Sequence, residues 1–493
     1  MSEHEKEPGL FSKGTVSRRE FLKVAGVAGA SIGAVGGLGG LVAACGGTTT
    51  TTSTTAAPAS TTTTTAATGG ETTTTAAAET TTTAASVETG RPIKLGLVYP
   101  KTGALSSFAK PDEWIVSTFK KDVKDGVVCG DGKLHTFDVL LEDSQSSAQR
   151  ASQVAGDMIL NSKVDMLLAS SSPDNANPVA DQAEANQVPM LATFVPWQPF
   201  FLGRGGAADK PFTWTWMYHF GLEDAAAVRM ALWAQLDTNK KVGLLFPNDA
   251  DGVSWANEKT GFTPKVIAAG YTVTQPGLHV TASEDFTQQI SQYMKNGCEI
   301  ISGIETPPLF TNFWKQAIQQ GLHPKICTMG KALLFHETLV ALGDSGIGLS
   351  DEVVWHPTFP YKSSLSGLTC QQFADLYTSE TGNGWTEPLG QYGKYEWAVD
   401  IYKRMTDIED KSLFPKVVAA TKYAGIQGTV DFTLPVDPKS AHPMLNVFKI
   451  RIAAGQWLKT DGTSKWPYDL VLCAANGDEI PTPAKMLPIA YAS

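Results

Sequence analysis

An α/β fold built on two parallel sheets is what this sequence predicts, and three observations predict it. Strand-like and helix-like segments alternate from Ile93 to Gly330, the strands are short and almost continuously apolar, and the alternating pattern restarts once part-way. A strand wet on one face alternates apolar and polar residues, whereas an unbroken apolar run belongs to a strand covered on both faces, as in parallel sheets. Helices between such strands supply the crossovers that parallel neighbours need.

The first unit opens with IKLGLVYP (93–100), a short apolar run ending in a turn, followed by the helix-like PDEWIVSTFKKDV. FDVLLED (137–143) is the next strand, and a helix starting near Ser147 places Val154, Met158 and Ile159 on one face. VDMLLAS (164–170) and VPMLATF (188–194) are strands, with the helical NPVADQAEAN between them. The second unit runs through a helix in EDAAAVRMALWAQL (223–236), the strand KVGLLFP (241–247) and a helix in WANEKTGFTPKVIAAG. A strand near Tyr271, the helix DFTQQISQYMKNG, the strand EIISGIE (299–305), the helix FTNFWKQAIQQGL and the strand KICTMG (325–330) complete it. The last quarter differs: helices in LTCQQFADLYTSETG and GQYGKYEWAVDIYKRM precede TVDFTLP and MLNVFKIRIAAGQWLKT, which reads as an antiparallel edge element of a mixed sheet.

Before this body lies a segment of another kind. Arg18 and Arg19 stand ahead of Phe21-Leu22-Lys23, and no charge follows from Val24 to Ala44. A basic start, an apolar middle and small residues at the end are the layout of an export signal, and the arginine pair resembles a twin-arginine signal. Seven glycines in the apolar stretch argue against a permanent membrane helix. Val42-Ala43-Ala44-Cys45 resembles a lipobox, which makes Cys45 the expected lipidation site and new N-terminus. From Thr48 to about Ser86 the chain is nearly all Thr and Ala, with no large apolar group to bury, and reads as a disordered tether.

Without residues 1–44 the chain carries 34 basic and 45 acidic residues, a net charge of −11, and no basic cluster, which argues against nucleic acid as a partner. Cys129, Cys298, Cys327, Cys370 and Cys473 show no CxxC spacing, so neither zinc nor redox chemistry is indicated. Either Cys298 pairs with Cys327 or all five are small buried apolar residues. GDSGIG (343–348) lacks the context a catalytic triad needs, HETLV (336–340) lacks the second histidine of a zinc protease, and no phosphate loop or GxSxG is present. His219, His323 and His356 read as surface or core residues. No catalytic residue, cofactor or metal site is expected.

IKLGLVYPKTGALSSFA, DSQSSAQRASQVAGDMI, SSSPDNANPVADQAEANQVPMLAT, FPNDADG, TASEDFTQQI, WKQAIQQGL and GTVDF…VFKIRIAAGQW, in that order, resemble the type I periplasmic binding proteins. The likeness is to those serving leucine, isoleucine and valine uptake by ABC transporters, and it covers essentially residues 91–493. It implies two Rossmann-like lobes joined by three chain crossings, with 91–217 plus 352–443 as lobe 1 and 218–351 plus 444–493 as lobe 2. Residues 1–44 would be the signal and 45–90 the tether. The implied role is capture of a small amino-acid-like or carboxylate solute for a permease and its ATPase subunits, by a protein lipid-anchored outside a bacterial cell membrane. A membrane-anchored sensor or enzyme on the same scaffold is the alternative.

Ligands in such sheets sit at the carboxyl ends of strands. By resemblance Phe108 would cover the ligand, and Ser170, Ser171 and Ser172 would grip its carboxylate through hydroxyl and helix-start N–H groups. The remaining loops offer Thr193, Val195, Trp197, Asp251, Glu305, Thr306, Lys331 and Tyr392 as ligand-binding candidates. The chain departs from the family's amino-acid binders at Phe194-Val195-Pro196-Trp197, where a ligand-touching threonine is missing, and at Lys331, where those proteins place an acid. An anionic ligand with a flat or branched apolar part is therefore expected.

Overall fold

A computed structural model describes residues 87–434, 445–462 and 466–491. The expected export signal, Cys45 and most of the tether lie outside the described residues. Two parallel-strand sheets form the body. In the first, the strands run in the order Phe137–Asp143, Ile93–Tyr99, Met166–Ala169, Met190–Ala192, Thr215–His219 and Val447–Lys449, each parallel to its neighbour. Successive side chains leave a strand on opposite faces. Leu95, Leu97, Met166 and Leu168 accordingly join one buried cluster with Ile115 and Phe119 of the helix Asp112–Asp122. Val98, Leu167 and Ala169 join another, with Val154 and Met158 of Ala148–Leu160 and Val179 of Pro173–Asn186. Covering on both faces is what made these strands read as unbroken apolar runs.

The second sheet orders Thr272–Thr274, Lys241–Leu245, Ile300–Ile304, Ile326–Gly330 and Ser350–Val353 in parallel, then adds Ala453–Lys459 and Tyr468–Ala475 antiparallel. The chain passes between the sheets after His219, after Val353 and between Lys449 and Ala453.

Three expectations change. The stretch MLNVFKIRIAAGQW is not one antiparallel element: Val447–Lys449 pairs parallel with Thr215–His219 in the first sheet, and only Ala453–Lys459 is antiparallel, in the second. The chain thus leaves the first sheet at Lys449 and enters the second at Ala453. The helix expected across WANEKTGFTPKVIAAG is confined to Phe262–Ala268, because Trp255 ends a separate helix, Ala250–Trp255. Of the two cysteine readings the structure shows the second: all five are free and buried.

Candidate functional site

The carboxyl ends of both sheets face one cavity. From the first sheet come Phe108, Ser171, Ser172, Phe194, Pro196, His219 and Phe220; from the second come Asp251, Trp255, Ile304, Lys331, Leu334, Glu352 and Val354. Most sit at the end of a strand or within three residues beyond it, where a loop must turn and where ligands of open α/β sheets bind. The cavity encloses about 40 Å³, against roughly 300–1,000 Å³ for sites of drug-sized ligands. The lobes are therefore closed on each other.

Contacts across the cleft hold that closure. Leu105 and Phe108 of one lobe pack with Leu334 and Phe335 of the other in a buried cluster of their own. The rings of Phe108 and Phe335 meet edge to face at 5.0 Å, a favoured aromatic geometry. Ala250 N donates to Asp174 Oδ1 at 3.3 Å, and Lys110 pairs with Glu337 at the rim.

Three non-glycine residues of the wall have positive φ: Ser171 (88°), Phe194 (55°) and Lys331 (64°). L-residues enter that region at a cost, and such strain concentrates at functional sites. At Ser171 the turn lets the chain enter the helix Pro173–Asn186, where Ser172 caps the start by accepting from Asp174 N.

The charges of the wall are already paired. Lys331 Nζ lies 2.9 Å from Asp251 and 3.7 Å from Asp249. Burial opposes its charge, but Asp251, Asp249 and Asp174 together hold its pKa above the ordinary lysine value. Burial also raises Asp251 above the usual carboxylate range, against the pull of Lys331, and Trp255 Nε1 donates to Asp251 Oδ1 at 3.0 Å. Glu352 accepts from Arg229 Nε at 2.6 Å, and the fully buried Arg229 also donates to Ser302 Oγ and Gly303 O. Lys331 thus lines the cavity without being the free cation the sequence suggested.

Of the twelve candidates, Phe108, Ser171, Ser172, Asp251 and Lys331 line the cavity. The others are engaged elsewhere. Ser170 Oγ accepts from Lys394 Nζ at 3.0 Å, within a buried network holding Gln391 and Asp112, whose carboxyl burial pushes up to about 6 against the pull of Lys394. Thr193 faces Gln427, and Val195 belongs to the core beneath the first sheet. Trp197 Nε1 donates to Glu223 at 3.0 Å, and Tyr392 donates to Asp122 while its ring packs on Phe373. Glu305 lies 2.5 Å from His279 Nε2 and accepts from Thr306 N at the next helix start.

A periplasmic binding protein family model matches residues 92–452. The chain belongs to the periplasmic binding protein family. Solved structures agree on a two-lobed type I periplasmic binding protein fold. A leucine-binding protein of Thermotoga maritima is 19% identical, with a TM-score of 0.61 over 78% of this chain and 98% of its own. The isoleucine complex of a branched-chain amino acid transporter substrate-binding protein from Streptococcus pneumoniae is 13% identical, TM-score 0.59, covering 77% and 99%. A solute-binding protein of a Rhodopseudomonas palustris ABC transporter, in complex with 4-hydroxybenzoate, is 17% identical, TM-score 0.61, covering 80% and 98%. No curated protein matches the sequence.

This periplasmic binding protein also has wall residues that sequence reasoning missed. Phe194 and Phe220 each sit just beyond a strand end, so position relative to the strands was the available signal, whereas Trp255 ends the helix that follows the strand Lys241–Leu245. Glu352 and His219 sit on strands that the apolar pattern did not reveal. Among the described residues, no group of three or more His, Cys, Asp or Glu side chains is placed to hold a metal ion, and no helix is long and apolar enough to cross a membrane.

Proposed function

We propose that this protein is the extracytoplasmic solute-binding component of an ABC transporter, and that it closes on a small carboxylate carrying a flat or branched apolar part. One observation carries the reading: the cavity is shared by both lobes, is walled by Phe108, Phe194, Phe220 and Trp255, and has each of its acids paired with a buried cation. An amino acid's ammonium needs an uncommitted carboxylate, and Asp251 and Glu352 are both committed. A carboxylate needs donors, and the Ser171 hydroxyl stands at the start of the helix Pro173–Asn186, beside Ser172, whose own hydroxyl is given to Asp174. The ligands of related folds, isoleucine in one and 4-hydroxybenzoate in another, bracket this chemistry.

The lobes close when the solute binds the closed form better than the open one. Delivery to a permease with ATPase subunits follows from the family's role, and anchoring follows from Cys45 after Val42-Ala43-Ala44. Calorimetry of the full chain against leucine, isoleucine, benzoate and 4-hydroxybenzoate tests the ligand class. An aromatic or branched carboxylate lacking an ammonium should bind more tightly than leucine; preference for leucine rejects the reading.

A further inference from the structure

One polar ring in the cavity wall, that of His219, takes no part in the charge pairs around it. His219 ends the strand Thr215–His219 at the first crossing and is 3% exposed. Its ring lies between Phe194, with centroids 5.0 Å apart, and Phe220, at 4.6 Å, and lines the cavity. Its Nδ1 is buried without a hydrogen-bond partner. A buried polar atom left unpaired costs stability, and native proteins keep few of them without a functional reason. Burial alone lowers the His219 pKa to about 3, so the imidazole is neutral at physiological pH. The charged groups of the same wall pair with each other, Lys331 with Asp251 and Arg229 with Glu352, and leave His219 to the ligand.

A neutral imidazole offers one N–H and one lone pair. A hydroxyl both donates and accepts, so it matches the ring in either tautomer. An ammonium or a carboxylate matches only one tautomer, with no opposite charge to meet it.

We propose that His219 is a specificity-determining residue that hydrogen-bonds a hydroxyl of the bound solute, so that the protein selects hydroxylated carboxylates over their deoxy parents. This rests on the carboxylate reading above. The partner flanks, Phe194 and Phe220, fix the ring so that the hydroxyl must come to it. Because His219 adjoins a crossing, the bond forms where the lobes pivot.

Calorimetry with matched pairs tests it: benzoate against its monohydroxy derivatives, and 4-methylpentanoate against its 2-hydroxy derivative. Wild type should bind one hydroxylated member about tenfold more tightly than its parent, the worth of one neutral hydrogen bond. His219→Phe should bind both members of that pair equally, at the parent's affinity, and His219→Gln should keep part of the preference. Thermal unfolding of His219→Phe should be no lower than wild type, since the substitution removes an unpaired polar group. Equal binding of every pair by wild type, or a preference that survives in both His219→Phe and His219→Leu, overturns the role of His219 and leaves the carboxylate reading standing. Binding of no carboxylate by wild type overturns both.

Discussion

Lys331→Met removes the cation from a pair that is nearly dry on both sides. The side chains of Lys331 and Asp251 are 8% and 4% exposed, and their charged atoms lie 2.9 Å apart, with Asp249 at 3.7 Å. Deleting one partner of a buried pair costs about 3–5 kcal/mol because the other charge is stranded. Domain stabilities are roughly 5–15 kcal/mol, so the loss is large. The pH dependence has a definite sign. Asp251 already has a folded pKa above its unfolded value, because burial outweighs Lys331, and losing Lys331 raises it further. A carboxyl raised in the folded state adds stability below the unfolded value of about 3.9 and loses it as pH rises through the folded value. Lys331 itself has a raised pKa and contributes fully below about 10.4. The variant's deficit should therefore be full at pH 8 and shrink as pH falls toward 4. Adding Asp251→Asn should restore most of the loss, because the amide oxygen still accepts from Trp255 Nε1 and no charge is stranded. Urea unfolding of the four proteins of this double-mutant cycle at both pH values measures the coupling. A loss below about 0.5 kcal/mol, or strictly additive losses, refutes a buried pair in the cleft.

Phe335→Ala should act on closure, because Phe335 is buried against Phe108 of the other lobe. Burying a phenylalanine contributes about 1.5–3 kcal/mol, so solute affinity should fall by that amount in calorimetry; unchanged affinity would show that the cluster does not control closure. Burial holds His336 at a pKa of about 4, below the ordinary histidine value. Such a group costs stability as pH falls from about 6.5 toward 4, on the order of 3 kcal/mol, so His336→Phe should flatten the acid limb of the unfolding curve. An acid limb identical to wild type would rule that out. Cys45→Ala should release the protein from membranes or leave it unprocessed, and Arg18→Lys with Arg19→Lys should block export. Membrane fractionation showing the Cys45→Ala protein acylated and anchored contradicts the lipobox assignment.

The strands of both sheets were legible where burial on two faces leaves an apolar run, as in IKLGLVY and MLLA. Three strands were not, among them Tyr468–Ala475 at the edge of the second sheet. Ser350–Val353 carries two consecutive acids, and its Glu352 is tolerated only because Arg229, far away in sequence, reaches it inside the protein. Thr215–His219 mixes aromatic and polar residues because it serves the hinge and the cavity as well as the sheet. The same distinction governs the site. Loops after strands could be located, so Ser171, Ser172, Asp251 and Lys331 could be placed near the cavity from sequence. Which ring turns inward could not. Trp197 and Tyr392 are held away by Glu223 and Asp122, while Phe194 reaches the cavity from a backbone with φ of 55°. Local sequence shows neither a distant hydrogen-bond partner nor a strained dihedral.

Solution X-ray scattering of the full chain, with and without a carboxylate that saturates it in calorimetry, measures whether the lobes close on the solute. The solute should compact the two-lobed body, and Phe335→Ala, at equal saturation, should compact less. A scattering profile unchanged by saturating solute would contradict capture by closing lobes.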